Sequence, residues 1–219
     1  FGTDDMGRNI FARVIWGSRL SLAIGLSSAT FALLLGGFLG TVAGYFGGRL
    51  DNIIMRVMDI FQAIPATLLA ISIAAALGPS TVNVVIAISV SFCPSFARVA
   101  RGPILIVRQA EYIEAAKSIG ASSRTIILNE VIPNCLAPII VQTTLSVAIM
   151  ILITSGLSFL GLGVQPPTPE WGAMLAASRS HIRDNSYIAF FPGLAIMLTI
   201  LSLNLLGDGL RDALDPRLK

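Results

Sequence analysis

Long apolar stretches alternate with short polar islands along this chain. No Asp, Glu, Lys, Arg or His occurs in 20–48, 60–97, 131–169 or 185–207. A helix needs about 20 apolar residues to cross roughly 30 Å of hydrocarbon, where each backbone N–H and C=O must be paired inside the segment. The first and last runs each predict one crossing. The run 60–97 is too long for one helix and is punctuated by Gly78-Pro79-Ser80. It predicts a tight hairpin of two short spans, 62–77 and 81–98. The run 131–169 predicts a span over 135–158, then a loop carrying Gly161, Gly163, Pro166, Pro167 and Pro169. The pattern thus predicts an all-α membrane protein with five spans.

Two polar segments have helical patterns of their own. Residues 49–61 place Ile53, Ile54, Val57, Met58 and Phe61 on one face, with Arg49, Asp51, Arg56 and Asp59 around it. This predicts an interfacial surface helix with Arg56 and Asp59 paired at i+3. The second is Glu114-Ala115-Ala116-Lys117-Ser118-Ile119-Gly120, followed at a distance by Ile132-Pro133. Tyr112, Ala115, Ala116 and Ile119 fall on one stripe at i, i+3, i+4 and i+7. Glu111, Glu114, Lys117 and Ser118 fill the remaining surface, and Glu114 can pair with Lys117. Gly120 sits where a C-cap is expected, and Ser122 or Ser123 can cap a second short helix leading into Pro133. Charge at the bilayer centre costs roughly +2.5 to +3.5 kcal/mol per residue, so this island faces water. Its small alanines let a partner surface approach closely. It reads as a docking surface rather than as a helix lying on lipid.

Composition agrees: 54% of residues are apolar and 12% charged, half the roughly 25% of a soluble domain. Ten of the fifteen Lys and Arg residues fall in 49–61, 98–130 and 208–219. By the positive-inside rule these segments, with the polar island, are cytoplasmic. Five spans then leave Phe1 outside. The chain begins with Phe rather than Met, and a further span is expected upstream of it.

Several chemistries find no support. There is no clustered basic patch for nucleic acid and no His, Cys and carboxylate grouping with metal-ligand spacing. No GxxxxGK[ST] loop is present, so ATP is expected on a separate subunit. No cofactor is expected on this chain. Cys93 and Cys135 read as unpaired thiols, and His181 as a solvated outer-loop residue. Gln142, Thr143, Thr144, Ser146, Thr154 and Ser155 put polar groups into the 135–158 span. They either line a translocation path or are ordinary helix-packing residues, and both readings stand. An ion-coupled secondary transporter would carry ionisable residues inside its spans and broken half-helices in repeated positions. The charge-free runs hold only thiols and tyrosines of that kind.

The polar island resembles the EAA loop of binding-protein-dependent ABC importer permeases, with Glu114, Ala115, Ala116, Gly120, Ile132 and Pro133 at the family spacing. Glu130 departs from it, standing where the family pattern has an aliphatic residue. Gly2-Thr3-Asp4-Asp5-Met6-Gly7-Arg8-Asn9 and Leu157-Ser158-Phe159-Leu160-Gly161-Leu162-Gly163-Val164-Gln165-Pro166-Pro167 resemble the dipeptide, oligopeptide and nickel branch, in its C-type permease. So do Trp171-Gly172 and the tail from Asn204 to Pro216. The resemblance implies a type I importer permease fold over 1–219 as one transmembrane domain, usually of six spans, with a cytoplasmic coupling loop at about 108–133. It implies that those six residues seat against a separate ATPase. It also implies a homologous permease as partner, two ATPase subunits carrying ATP, an extracytoplasmic binding protein, and residence in the inner membrane. Peptides are the expected cargo; nickel or a metallophore is the alternative within the branch. Many relatives carry an acidic residue shortly before Leu157; here Ile153-Thr154-Ser155-Gly156 stands there.

Overall fold

The computed structural model describes residues 1–214. Asp215, Pro216, Arg217 and Lys219, used above in the tail motif and the charge asymmetry, lie outside the described residues. The helices are α1 (Ile10–Phe46), α2 (Gly48–Gln62), α3 (Ala66–Leu77), α4 (Thr81–Val107), α5 (Glu111–Ser118), α6 (Ser123–Ile126), α7 (Ile132–Phe159), α8 (Trp171–Ser178) and α9 (Tyr187–Leu214). Four helical runs are long and apolar enough to cross a membrane, and a bent pair brings the number to five.

α1 starts well before the charge-free run. The Asn9 side chain accepts the Ala12 N–H and caps it. The helix then passes Arg13 and Arg19, whose guanidinium lies 4.1 Å over the Trp16 ring. Its 37 residues extend about 55 Å, far beyond the hydrocarbon. Charge marks where a helix leaves lipid; it does not unwind the helix.

α1 and α4 pack backbone against backbone. Gly36, Gly40 and Gly44 recur every four residues along α1. A Cβ at Gly36 or Gly40 would overlap the carbonyl oxygens of Cys93 and Ala97, and one at Gly44 would lie 2.9 Å from Ile104 Cγ2. In lipid, where apolar burial drives no association, such close van der Waals approach holds helices together. Ile24, Ile88, Phe96, Met150, Ile151 and Leu157 fill the main core beside this seam.

The hairpin expected over 62–98 turns at Gly78-Pro79-Ser80 between α3 and α4, with a first arm shorter than expected. Pro65 disfavours helical backbone at Ile64, so α2 ends and α3 departs at 82° to it. α3 has 12 residues, about 18 Å, too short to cross alone. α4 continues past residue 98 to Val107, carrying Arg98 and Arg101 within the helix.

The apolar face expected for α2 is split. Ile54 and Met58 turn inward against Leu39, Cys93 and Ala97, while Ile53, Val57, Ile60 and Phe61 are exposed. The Arg56–Asp59 pair does not form. Asp59 accepts from Arg98 Nη2 at 2.8 Å, and Asp51 takes Arg101 through two bonds of 2.6 Å each. A planar guanidinium arriving from α4 matches a carboxylate better than a neighbour one turn away. The bonds from Arg101 hold the Asp51 carboxyl below its ordinary 3.8.

The Gly/Pro loop leads into α8, a short helix for which the hydropathy pattern made no prediction. Its cap is Glu170, fully enclosed. The carboxylate accepts from the Gly172 and Ala173 N–H groups at 2.9 and 2.8 Å and from Ser21 Oγ at 3.1 Å. The Trp171 N–H donates to Ser21 Oγ and its indole Nε1–H to the Val14 carbonyl at 2.9 Å. An anion at a helix N-terminus satisfies donors that are otherwise orphaned. Here it also ties α8 to the N-terminal half of α1.

Candidate functional site

The polar island folds as a small module at the C-terminal end of α4. The module has its own core: Ile104, Ile113, Ile126, Val131 and Cys135, with Tyr45, Val107, Ala110, Ala116, Ala121 and Ile139 packed on it. These residues come from α1, α4, α5, α6 and α7. One compact cluster therefore joins the ends of three membrane helices to α5.

α5 faces the cluster through Ile113, which is wholly buried. Tyr112 is 44% exposed and Ile119 86% exposed; Ala115 is exposed and Ala116 half-buried. The predicted stripe of Tyr112, Ala115 and Ile119 thus points away from the protein's own core, with Ala116 at the boundary. Glu114 is exposed and makes no salt bridge with Lys117. Lys117 Nζ instead lies 5.9 Å over the Tyr45 ring. An i,i+3 ion pair in water contributes only about 0.2–0.5 kcal/mol, too little to hold a lysine that has an aromatic face nearby.

Gly120 ends the helix as expected. Its φ is +83°, a conformation that costs glycine little and other residues more. The Ala121 N–H donates to the Ala116 carbonyl and the Gly120 N–H to that of Lys117, the two bonds of a Schellman cap. Ala116 and Ala121, whose backbones it joins, both pack on the cluster. Ser122, not Ser123, caps α6 by accepting the Thr125 N–H at 3.2 Å.

The chain does not break at Ile132-Pro133. Helix continues from Ser123 to Phe159 through a π turn at Ile127–Val131, in which the Ile132 N–H reaches back five residues to Ile127. Pro133 lacks the N–H that would bond the Asn129 carbonyl, and the wider turn precedes it. Ile132 is half-buried and Pro133 exposed. The structure thus gathers Glu114, Ala115, Ala116 and Gly120 on one short helix and cap. Ile132 and Pro133 sit at the helix entry beyond the shared cluster.

A family profile, the inner membrane component of binding-protein-dependent transport systems, matches residues 36–219. The chain belongs to this family. It is 50% identical over 219 residues to the dipeptide transport permease DppC of Alkalihalophilus pseudofirmus. It is 49% identical to the di/tripeptide permease DppC of Pseudomonas aeruginosa and 47% identical to the glutathione permease GsiD of Pectobacterium atrosepticum. The whole chain is covered each time, and 72% of each relative. Among solved structures, the inward-facing MetNI methionine ABC transporter superposes with a TM-score of 0.77 over 94% of this chain and 97% of that one, at 16% identity. An amino acid ABC transporter gives 0.64, with 95% of each chain covered, at 17% identity. Those two likenesses speak for the fold alone. The chain is a multi-pass inner-membrane permease subunit of an ABC importer, which works with an ATPase and a substrate-binding protein.

In this permease the polar residues named for a path differ in placement. Thr154 is fully enclosed, and its hydroxyl has no hydrogen-bond partner among the described residues. Ser146 is 3% exposed and receives the Gln142 amide at 3.2 Å. Ser155 is buried and bonds back to the Ile151 carbonyl. These three sit as packing residues inside the subunit. Gln142 and Thr143 are half-buried. Gln142 borders a groove of about 440 Å³ between α7 and α9 with Asn134, Pro138, Val141, Leu145 and Arg211. His181 lies 3.8 Å from Asp5.

Sequence reading missed Ile113, Arg108 and Tyr45. Ala110, Ile113 and Ala116, three apart, were the available signal for the inward face. For Arg108 and Tyr45 there was none, since Arg108 meets Gly44 and Tyr45 at separations of 64 and 63 residues and Lys117 meets Tyr45 from still farther along the chain.

Proposed function

We propose that this permease forms one half of the membrane path of a peptide importer, paired with a homologous permease and served by two ATPase subunits that carry the ATP. α5 seats in one of those ATPases. The observation that carries this reading is α5 itself: Ile113 is fully buried beneath it, while Tyr112, Ala115 and Ile119 stand outward. A helix that spends one residue on its own core and leaves an apolar and small-residue face in water is built for a partner. Relatives named for dipeptides, tripeptides and glutathione support peptide cargo over nickel.

In this reading, ATP-driven closure of the ATPases displaces α5, and the attached spans rock between inward-open and outward-open states. The binding protein favours one state only through differential affinity for the two. The test uses the complete complex in proteoliposomes with ATP inside. Labelled dipeptide should enter with ATP and binding protein present, and a protonophore should not stop it. Uptake that follows the proton gradient and ignores ATP would refute the reading; uptake of nickel but not dipeptide would correct the cargo. Gly120→Val, which strains the cap at φ +83°, should insert normally yet abolish uptake. Normal uptake by that variant would remove α5 from the coupling role.

A further inference from the structure

Arg108 follows the last residue of α4 and lies two residues before the N-cap of α5. Its half-buried guanidinium lies near the Asp51 carboxylate, whose pKa it helps to lower, but its hydrogen bonds go to main-chain carbonyls. Nη1 donates to the Gly44 carbonyl at 3.0 Å and to the Tyr45 carbonyl at 3.4 Å. Both are in the last turn of α1, where helix carbonyls lack intrahelical donors and the negative end of the helix dipole favours a cation. The turn that follows is shaped around this contact. Gly47 has φ +66°, and a Cβ there would overlap Arg108 Nη1. Lys117 of α5 adds a second link by lying over Tyr45, which packs on the docking cluster. α1 then runs unbroken to the outer face, where Val14 and Ser21 hold Trp171 and Glu170.

We propose that Arg108 is a positioning residue that latches the docking helix to the end of α1, so that α1 carries displacement of α5 across the membrane to the outer loop. This rests on the reading of α5 as the ATPase-docking element. It adds that α5 acts through α1 as well as through the helices to which it is covalently joined. The backbone already links α5 to α4 and α7, and the glycine seam ties α1 to α4; Arg108 and the Tyr45 contact add direct side-chain links between the end of α1 and the α5 module.

The test uses the complete complex in nanodiscs, in a chain with Cys93 and Cys135 replaced by alanine. Spin labels at Phe46→Cys and Ser118→Cys, both exposed positions, report the separation between the end of α1 and α5. With Arg108 intact, that separation should stay the same between the nucleotide-free and ATP-trapped states, and a shift on ATP trapping overturns the latch. With Arg108→Ala the distribution should broaden. Peptide taken up per ATP hydrolysed should fall by about fivefold or more, the lower range of site-to-site coupling, while basal ATP hydrolysis persists. Arg108→Lys, which keeps the charge, should recover part of the loss. An Arg108→Ala complex with an unbroadened distribution and unchanged uptake per ATP overturns the proposal. Gly120→Val measured in parallel separates the two readings. If it uncouples while Arg108→Ala does not, the latch alone is wrong; if it transports normally, the docking reading fails and the latch with it.

Discussion

The membrane bundle and the small module around α5 solve the same packing problem in opposite ways. In the bundle, α1 and α4 meet at glycines, so backbone lies on backbone and no side chain can yield. In the module, a few medium-sized side chains from several helices share one small cluster around Ile113, with water on the far side of α5. The first arrangement tolerates no added atom. The second tolerates change on its outer face and none beneath it. A transporter needs both: spans that move as units, and a contact that can be pushed.

Substitutions can break this contrast. Gly40→Leu drives a side chain into the Ala97 backbone and should cost about 3 kcal/mol, the upper range of overpacking. Little folded protein should survive extraction, and a normal melting temperature in detergent would show that the seam is not tight. Ile113→Ala empties the centre of the module and should also cost about 3 kcal/mol. That cost should be local: the bundle melts as before, proteolysis within 108–123 rises, and uptake falls. A lowered bundle melting temperature would show that the two cores are one. Ile119→Ala should change stability by less than about 0.5 kcal/mol, as for a surface position. Yet it should weaken binding of the ATPase subunit by about 1–2 kcal/mol, or roughly tenfold; unchanged binding would move the contact off this face. Asp51→Asn is the mildest, removing the Arg101 fork at a cost of about 1 kcal/mol. Because folding depresses the Asp51 pKa, its contribution is complete above the unfolded value of 3.8 and is lost as pH falls through the folded value. The variant and the parent should therefore converge in stability only at acidic pH; a constant difference down to pH 2 would assign the effect to something other than that charge.

The sequence made the local signals legible and the long-range ones obscure. Gly120 and Ser122 were readable because caps depend on residues within a turn. The spans were readable because lipid forbids charge over a length set by its thickness. Helix ends were not, since α1 and α4 leave the hydrocarbon without unwinding and carry arginines in intact helix. The bend at Pro65 made one expected span into a short helix joined to a surface helix. Partner choice was the least legible. Asp59 chose Arg98 over Arg56, and Lys117 chose Tyr45 over Glu114, because the fold brought those groups closer than the chain did. α8 escaped notice for the same reason: Glu170 is charged by composition, and only the Ser21 hydroxyl and two N–H groups explain why it is buried.

The clasp between α1 and α8 also bears on how the chain is made. Ser21 and Glu170 are 149 residues apart, and Val14 and Trp171 are 157 apart. α1 leaves the ribosome before α4 and can pair with it once α4 is inserted. The N-terminal half of α1 must wait for Glu170 and Trp171 before the clasp closes. A nascent chain halted before Glu170 would hold a nearly complete membrane seam beside an unfastened outer edge, a form that quality-control proteases could recognise by its absent clasp rather than by any misplaced span.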